Sequence, residues 1–573
     1  MMARVLAGRA RPSFDTDRLA VFALAAAVVV PLLLFVALPL VAILRLSFVT
    51  PAGGIGLANY ATAFASPKFA RIVGNSLLVS ATTTLITVML AYGFAYAQKR
   101  TAMPCKRALG AIALLPLYAP SLVQALGILF LFGRNGIVNR TFGLGIDIYG
   151  FWGIVIADVF YSFPHAYLIL AAALAVGDAR LYESAHMLGA GAARIFRTVT
   201  LPSTRYGIIS ATFVVFTIVI TDFGNPVVIG ADYGVLATEI YNQVSGQSRL
   251  ELGAVIGVVL LIPAALAVII EKLIASTQHA AITAGARPLS IARRPARDRA
   301  AFAYAALVCA GIAAIVIVVF VASFVRLWPY NMQPSLRHYR FEVQNGIAPL
   351  WTSIVVSLMA AVIGVFAAVT AACAARWLKP VLAQALYFLS VVPAAIPGMV
   401  LGLGYLLAFN DPANPLEVLY GTLLILAICN VYHYHAQGYL IATTSLGQIG
   451  RVFDETSTCL GARATRTLRA VILPLLAPAI ASIAVFFFVR SMVTLSAVIF
   501  LVTPVTQLAA VSVLLLDDSG NQNQAAAFSV CIMLIVGVAL AVFHALVTLA
   551  GRWRGGSARA VAAAASPYVA THA

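Results

Sequence analysis

Charge is what this sequence has least of. Of its 573 residues, 10% are Asp, Glu, Lys or Arg, while 62% are apolar. Soluble domains run to roughly 25% charged and 45–50% apolar. That scarcity excludes an ordinary soluble fold, because no packing of a chain this length hides so much apolar surface from water. Lysine is rarer still: there are five, at 68, 99, 106, 272 and 379, and none follows a glycine. A G-K-[ST] phosphate-binding loop is therefore missing. So are H-E-x-x-H among the eight histidines and any recognisable Ser/His/Asp elbow. These absences argue against an enzyme. The six cysteines (105, 309, 373, 429, 459 and 531) include no CxxC pair and read as small apolar packing residues. The net charge of +18 is broken into short polar segments between apolar runs, with no continuous basic face, so no nucleic-acid partner is expected. Nothing in the sequence asks for a cofactor or a bound metal.

What is present is length of apolar run. Crossing a bilayer as helix takes about 20 such residues. Runs of that kind occur near 19–44, 72–97, 108–132, 151–176, 204–223 and 252–271. A second set lies near 301–324, 350–375, 383–409, 417–441, 475–502 and 524–550. The expectation is an all-α integral membrane protein with about twelve spans in contact with lipid. The basic N-terminus, 1–18, precedes an apolar run too long for a cleaved signal. With that terminus inside the cell, 27 of the 37 Lys/Arg fall on the cytoplasmic side, as the positive-inside bias requires. Both termini are then cytoplasmic, and the Ala/Gly/Ser-rich stretch 551–573 reads as a disordered tail.

The chain repeats itself. Residues 183–202, ESAHMLGAGAARIFRTVTLP, align without a gap on 455–474, ETSTCLGARATRTLRAVILP, with 10 of 20 identical. Upstream, Pro116, Pro120 and Leu126-Gly127 match Pro393, Pro397 and Leu403-Gly404. Six spans per copy is an even number, so the two halves, 19–271 and 301–550, run parallel, unlike inverted-repeat transporters. The basic stretch 272–300 joins them as a cytoplasmic linker.

Each repeated segment lies in a polar loop (178–203 and 447–474) between the fourth and fifth spans of its half. Glu183 opens a short helix, Gly189 breaks it, and Pro202 opens the next span; Glu455, Gly461 and Pro474 do the same in the second copy. Glycine suits a turn with positive φ, and proline is tolerated in a first helical turn. The spacing E-x-x-x-x-x-G, nine residues, then [VI]-x-L-P resembles the EAA loop of binding-protein-dependent ABC importers. In that family the loop is a cytoplasmic coupling helix that docks on the ATPase. The resemblance implies a fused, duplicated permease subunit, not an enzyme, in the bacterial inner membrane. It implies a separate cytoplasmic ABC ATPase dimer and a periplasmic solute-binding protein as partners, with no second permease chain. The residues after each glutamate, Ser184-Ala185 and Thr456-Ser457, depart from the family's Ala-Ala but stay small. An ion-driven secondary transporter is the alternative of a different class, and its uptake would not depend on these loops.

Polar groups inside the spans are the candidates for the translocation pathway, because they are costly there. They are Asp158, its counterpart Asn430, Asp222 and Asn225 in TDFGNP, and Arg490 in the eleventh span. Each either lines the route or is satisfied by a neighbouring helix. Arg490 would suit an anionic solute, since a guanidinium binds phosphonate or carboxylate bidentately. His433 and His435 sit two apart on a helix, facing different ways, which favours packing over metal binding. Pro116, Pro120, Pro393 and Pro397 should kink spans three and nine. For the solute, 221–257 most resembles 2-aminoethylphosphonate permeases. The stretch 489–504 is shared with the ferric-iron group, so ferric iron, thiamine or polyamine remain alternatives.

Overall fold

The computed structural model describes residues 14–50, 53–281, 291–341 and 345–565. Parts of the expected N-terminus, linker and tail (1–13, 282–290 and 566–573) lie outside the described residues. Lipid offers no partner for backbone N–H and C=O groups, so helices that satisfy their own are what an apolar chain can form. Among the described residues β structure is limited to a small hairpin, Val325–Leu327 with Asn331–Pro334, and one bridge between Val49 and Ile55.

Among the described residues ten helices are long and apolar enough to cross a membrane, from Val21–Phe48 to Gln522–Leu546, or eleven if the bent pair Pro380–Ala395 and Gly398–Phe409 is one span. Twelve runs were expected, and the shortfall has a physical reason. The tenth run is a 25-residue helix, Leu423–Gly447, but Asn430, His433, His435 and Gln437 lower its mean hydropathy. It occupies the place that Phe151–Ala175 holds in the first half. The eleventh run is cut short: its helix ends at Val493, and 496–501 are turns, mostly buried. The last helix, Gln522–Ala565, runs through the first fifteen residues of the stretch read as a tail.

The prolines lie at helix breaks in both halves. Leu115–Tyr118 is a 3₁₀ turn between Lys106–Ala113 and Leu122–Phe132. The matching break after Val392–Ala395 bends the chain by 103°.

The two repeats are interlocked. The first helix of each half packs on the other half: Val21–Phe48 lies on Ala348–Trp377 and Gly398–Phe409, and Pro295–Ser323 lies on Pro67–Arg100 and Leu122–Phe132. Glycine makes both crossings close. A Cβ at Gly127 would stand 2.5 Å from Ile315, and one at its match Gly404 would stand 2.8 Å from the Pro39 carbonyl oxygen. Phe35 of the first helix also stacks between Phe409 and Tyr432 at 5.7 and 5.6 Å. A second pair of matched contacts repeats within each half. Ser76 accepts from Leu236 N and Ser353 from Ala509 N, both at 2.8 Å, tying the N-terminus of a short helix to the second span.

Candidate functional site

The two repeated loops fold alike. Helix Ala179–Met187 is followed by Leu188 and by Gly189 at φ +71°; helix Val452–Cys459 is followed by Leu460 and by Gly461 at φ +69°. Gly189 N donates to His186 O and Ala190 N to Ala185 O; Gly461 N donates to Thr458 O and Ala462 N to Ser457 O, all at 2.9–3.0 Å. Those paired bonds are a Schellman cap, which closes a helix through a left-handed residue. A Cβ on either glycine would meet nothing within 4 Å. The glycines are therefore required by backbone conformation and not by a close neighbour in the chain.

Beyond the caps, the structure departs from the sequence reading. Pro202 and Pro474 do not open their spans. Each span already begins at Ala192 or Ala464 and widens into a π-turn, Phe196–Thr200 or Leu468–Ile472, just before the proline. Proline removes a ladder hydrogen bond and its ring collides with the carbonyl four residues back; the wider turn absorbs that collision. The loops expose apolar and charged residues together: Glu183 and Glu455 are exposed, as are Arg194, Arg197, Arg466 and Arg469, and so are Met187, Leu188 and Leu460, each above 80%.

Two arginines that sequence reasoning passed over hold these loops. Arg100 and Arg376 close the second long helix of their halves. Arg100 lies 4.9 Å from the ring of Tyr182, whose hydroxyl donates to Thr200 Oγ1 at 3.1 Å. Arg376 instead pairs with Asp454, the residue matching Tyr182: Nε and Nη2 reach Oδ2 at 2.7 and 2.6 Å. Their signal was available, since both end an apolar span at the same point of the repeat.

A second polar centre lies between the halves. A cavity of about 40 Å³ is bordered by Ser121, Tyr161 and Asp222 from the first half and by Tyr434, Arg490 and Thr494 from the second. That is room for a few waters. The Arg490 guanidinium sits 4.7 Å over the Tyr434 ring and donates to its hydroxyl at 3.4 Å, and Tyr161 borders the same cavity from the first half. Among the described residues it makes no ion pair. Thr494 Oγ1 donates to Tyr434 at 2.9 Å.

Of the residues singled out in the sequence, Asp222 and Arg490 thus face one cavity. The other three stand behind it. Asn225 Nδ2 donates to Asp158 Oδ1 at 2.8 Å, and Asn225 N to Asp222 Oδ2 at 2.9 Å. Asn430 Nδ2 donates to Ser491, next to Arg490, at 2.8 Å. Asp158 and Asn225 are fully buried, and among the described residues Asp158 Oδ2 and Asn225 Oδ1 have no hydrogen-bond donor. His435 packs beside Tyr432 and Tyr439. The cavity breaks the repeat: the position matching Arg490 is Ile218, and the one matching Asp222 is Thr494.

Two repeated, interlocked helical bundles, with capped loops at one end and a polar cavity between them, define a membrane transport protein built as a duplicated permease. The chain belongs to the family described as binding-protein-dependent transport system inner membrane component, whose model matches residues 104–338 and 360–553. It is 29% identical over 496 residues to the ferric transport system permease protein FbpB of Actinobacillus pleuropneumoniae, covering 82% of this chain and 70% of that one. It is 30% identical to the putative ferric transport system permease protein FbpB 1 of Haemophilus influenzae, covering 76% and 71%. Molybdenum transport system permease protein ModB of Escherichia coli matches at 34% over 26% of this chain and 66% of that one. The chain is therefore an ABC-importer permease subunit of the inner membrane, related to ferric-iron permeases and not itself catalytic. Such permeases work with an ATPase and a periplasmic binding protein.

Proposed function

We propose that this one chain supplies both halves of an importer's translocation route and both docking sites for an ATPase dimer, with no second permease chain. The observation that carries this reading is the pair of identically capped loops, with Glu183, Gly189 and Pro202 in one and Glu455, Gly461 and Pro474 in the other. Their exposed apolar residues suit a groove on a partner. Counting Leu423–Gly447 and the bent pair gives twelve crossings, six in each of 19–271 and 301–550. Both termini and the linker 272–300 then lie on the cytoplasmic side, with the loops. Asp222 and Arg490 face the solute in this reading, while Asp158, Asn225 and Asn430 set their positions. The test is Glu183→Lys together with Glu455→Lys in reconstituted vesicles. ATP-driven uptake should be lost while membrane insertion persists, and uptake that continues unchanged would favour an ion-coupled transporter.

For the solute, ferric iron is the better supported reading, because two relatives matched over 82% and 76% of the chain are ferric permeases. The cavity favours a second reading. An arginine and a carboxylate that face one space without pairing suit a zwitterion, and 2-aminoethylphosphonate offers an oxyanion to Arg490 and an ammonium to Asp222. Uptake of radiolabelled iron and of labelled 2-aminoethylphosphonate through the same vesicles separates the two. Iron uptake that survives Arg490→Gln, with no phosphonate uptake, would remove the second reading.

A further inference from the structure

The face opposite the coupling loops carries a larger cavity, of about 630 Å³, bordered by Arg134, Asn139, Arg140, Asp147 and Tyr330 among others. Loop 133–150 enters helix Phe151–Ala175 at the end opposite to coupling helix Ala179–Met187. Those 25 residues put about 37 Å between the two faces. The loop is built around Asn139. Its Nδ2 donates to the carbonyls of Phe132, Gly133 and Ile146 at 2.7–3.0 Å, and its Oδ1 accepts from Ile146 N at 2.9 Å. On this frame Arg134 lies 5.2 Å from the Tyr149 ring, and Arg140 lies 4.6 Å from the ring of Tyr330, which the second half contributes. Tyr330 also donates to Asn135 Oδ1 at 3.0 Å.

Stacking on a ring orients a guanidinium and leaves its N–H edge available. Asp147 reaches Arg134 only at 3.9 Å, with both side chains largely exposed, and Arg140 forms no ion pair among the described residues. The matching loop of the second half, 410–422, has the opposite character: it carries Asp411 and Glu417 and no Lys or Arg.

We propose that Arg134 and Arg140 receive acidic side chains from one lobe of the solute-binding protein, and that the opposite charge on loop 410–422 decides which lobe lies over which half. A duplicated permease would otherwise offer a two-lobed partner two orientations, half a turn apart. Opposite charges on matching loops make those orientations unequal, and like-charge contacts are an effective way to reject the wrong one. The inference rests on the chain working as a binding-protein-dependent importer.

The experiment uses the full chain with its ATPase in nanodiscs, titrated with the solute-loaded binding protein while ATP hydrolysis is followed. For Arg134→Glu with Arg140→Glu, the concentration giving half-maximal stimulation should rise about tenfold, with basal and maximal rates unchanged. The Arg134→Gln, Arg140→Gln pair should shift less in the same direction, and it serves if charge reversal prevents folding. Reversing the second loop as well, with Asp411→Lys and Glu417→Lys, should restore tight docking with the lobes exchanged. Half-saturation unmoved in the Gln pair overturns the proposal. So does a lower maximum at unchanged half-saturation, which would assign the cavity to solute passage. Failure to recover in the fourfold reversal overturns the orientation rule. If the binding protein never stimulates the wild type, the importer reading fails first and takes this inference with it.

Discussion

Replacing Arg376 by alanine should loosen the second coupling loop far more than replacing Arg100 loosens the first. Arg376 has 7% of its side chain exposed and Asp454 22%. Besides its two contacts to Asp454, the guanidinium donates to the carbonyls of Leu446, Ile449 and Gly450 at 3.0–3.2 Å. It thus caps the end of helix Leu423–Gly447 and anchors the next helix at once. Breaking a fully buried ion pair by removing one partner costs about 3–5 kcal/mol. Water reaches Asp454 here and screens what is left behind, so about 2–3 kcal/mol is the better expectation. At 1.4 kcal/mol per tenfold, that is roughly a 30- to 150-fold rise in the open population of the loop. Arg100→Ala forfeits a cation–π contact of about 0.5–2 kcal/mol. It also removes a buried guanidinium whose Nε and Nη2 have no hydrogen-bond partner among the described residues, so the net loss is smaller. Hydrogen exchange of amides 452–462 in the purified chain reads the first effect, and that of 179–190 the second. Solute imported per ATP should fall in Arg376→Ala. If 452–462 exchanged no faster in Arg376→Ala than in the wild type, the clamp reasoning would be refuted.

Other expectations rest on the same geometry. Valine at Gly189 or Gly461 must adopt positive φ, at a cost of about 1–2 kcal/mol, whereas Gly→Asn should be tolerated; ATPase stimulation that drops equally for both would point to the missing space and not to φ. Gly404→Leu drives a side chain into the Pro39 carbonyl and should lower stability by about 1–3 kcal/mol. Thermal unfolding in detergent measures it, and an unchanged midpoint would mean that the halves are less tightly interlocked than described. Beyond the end of helix Pro295–Ser323, burial pulls the His338 imidazole below its ordinary value, against the bonds from Nε2 to Val325 O and Arg326 O at 3.0 and 3.2 Å. A depressed histidine stabilises the fold fully above the unfolded value of about 6.5 and loses that contribution as pH falls toward the folded value. Protection factors of amides 325–341, which allow for the slower intrinsic exchange at low pH, should therefore fall between about pH 7.5 and 5.5, and His338→Gln should flatten that dependence; an identical response in the variant would exclude His338 as its source.

Much of the architecture was legible because lipid leaves few options. Long apolar runs must become helices, and the match of 183–202 with 455–474 exposed the duplication before any coordinate. Two kinds of feature were hidden. Hydropathy measures composition and not shape, so it ran the eleventh span on to 502, through turns that are apolar because they are buried inside the protein. It also gave no sign that the first helix of each half crosses to the other, since Gly127 and Gly404 show their purpose only beside Ile315 and Pro39. Within the site, Asp222 and Arg490 could be nominated as costly intramembrane charges. That Asp158 supports Asn225, and that Tyr161 and Arg490 border one cavity, depends on the meeting of residues more than 60 positions apart. The Arg100 and Arg376 clamps were overlooked for another reason: arginine at the end of a span is expected from topology alone, which hides a more specific role.

The central claim is that one chain carries both permease halves and two coupling loops. Native mass spectrometry of the intact complex, purified with its ATPase, tests it most directly. A complex of one permease chain with two ATPase subunits is the predicted result. A complex holding two copies of this chain, or one copy with a single ATPase subunit, would contradict it.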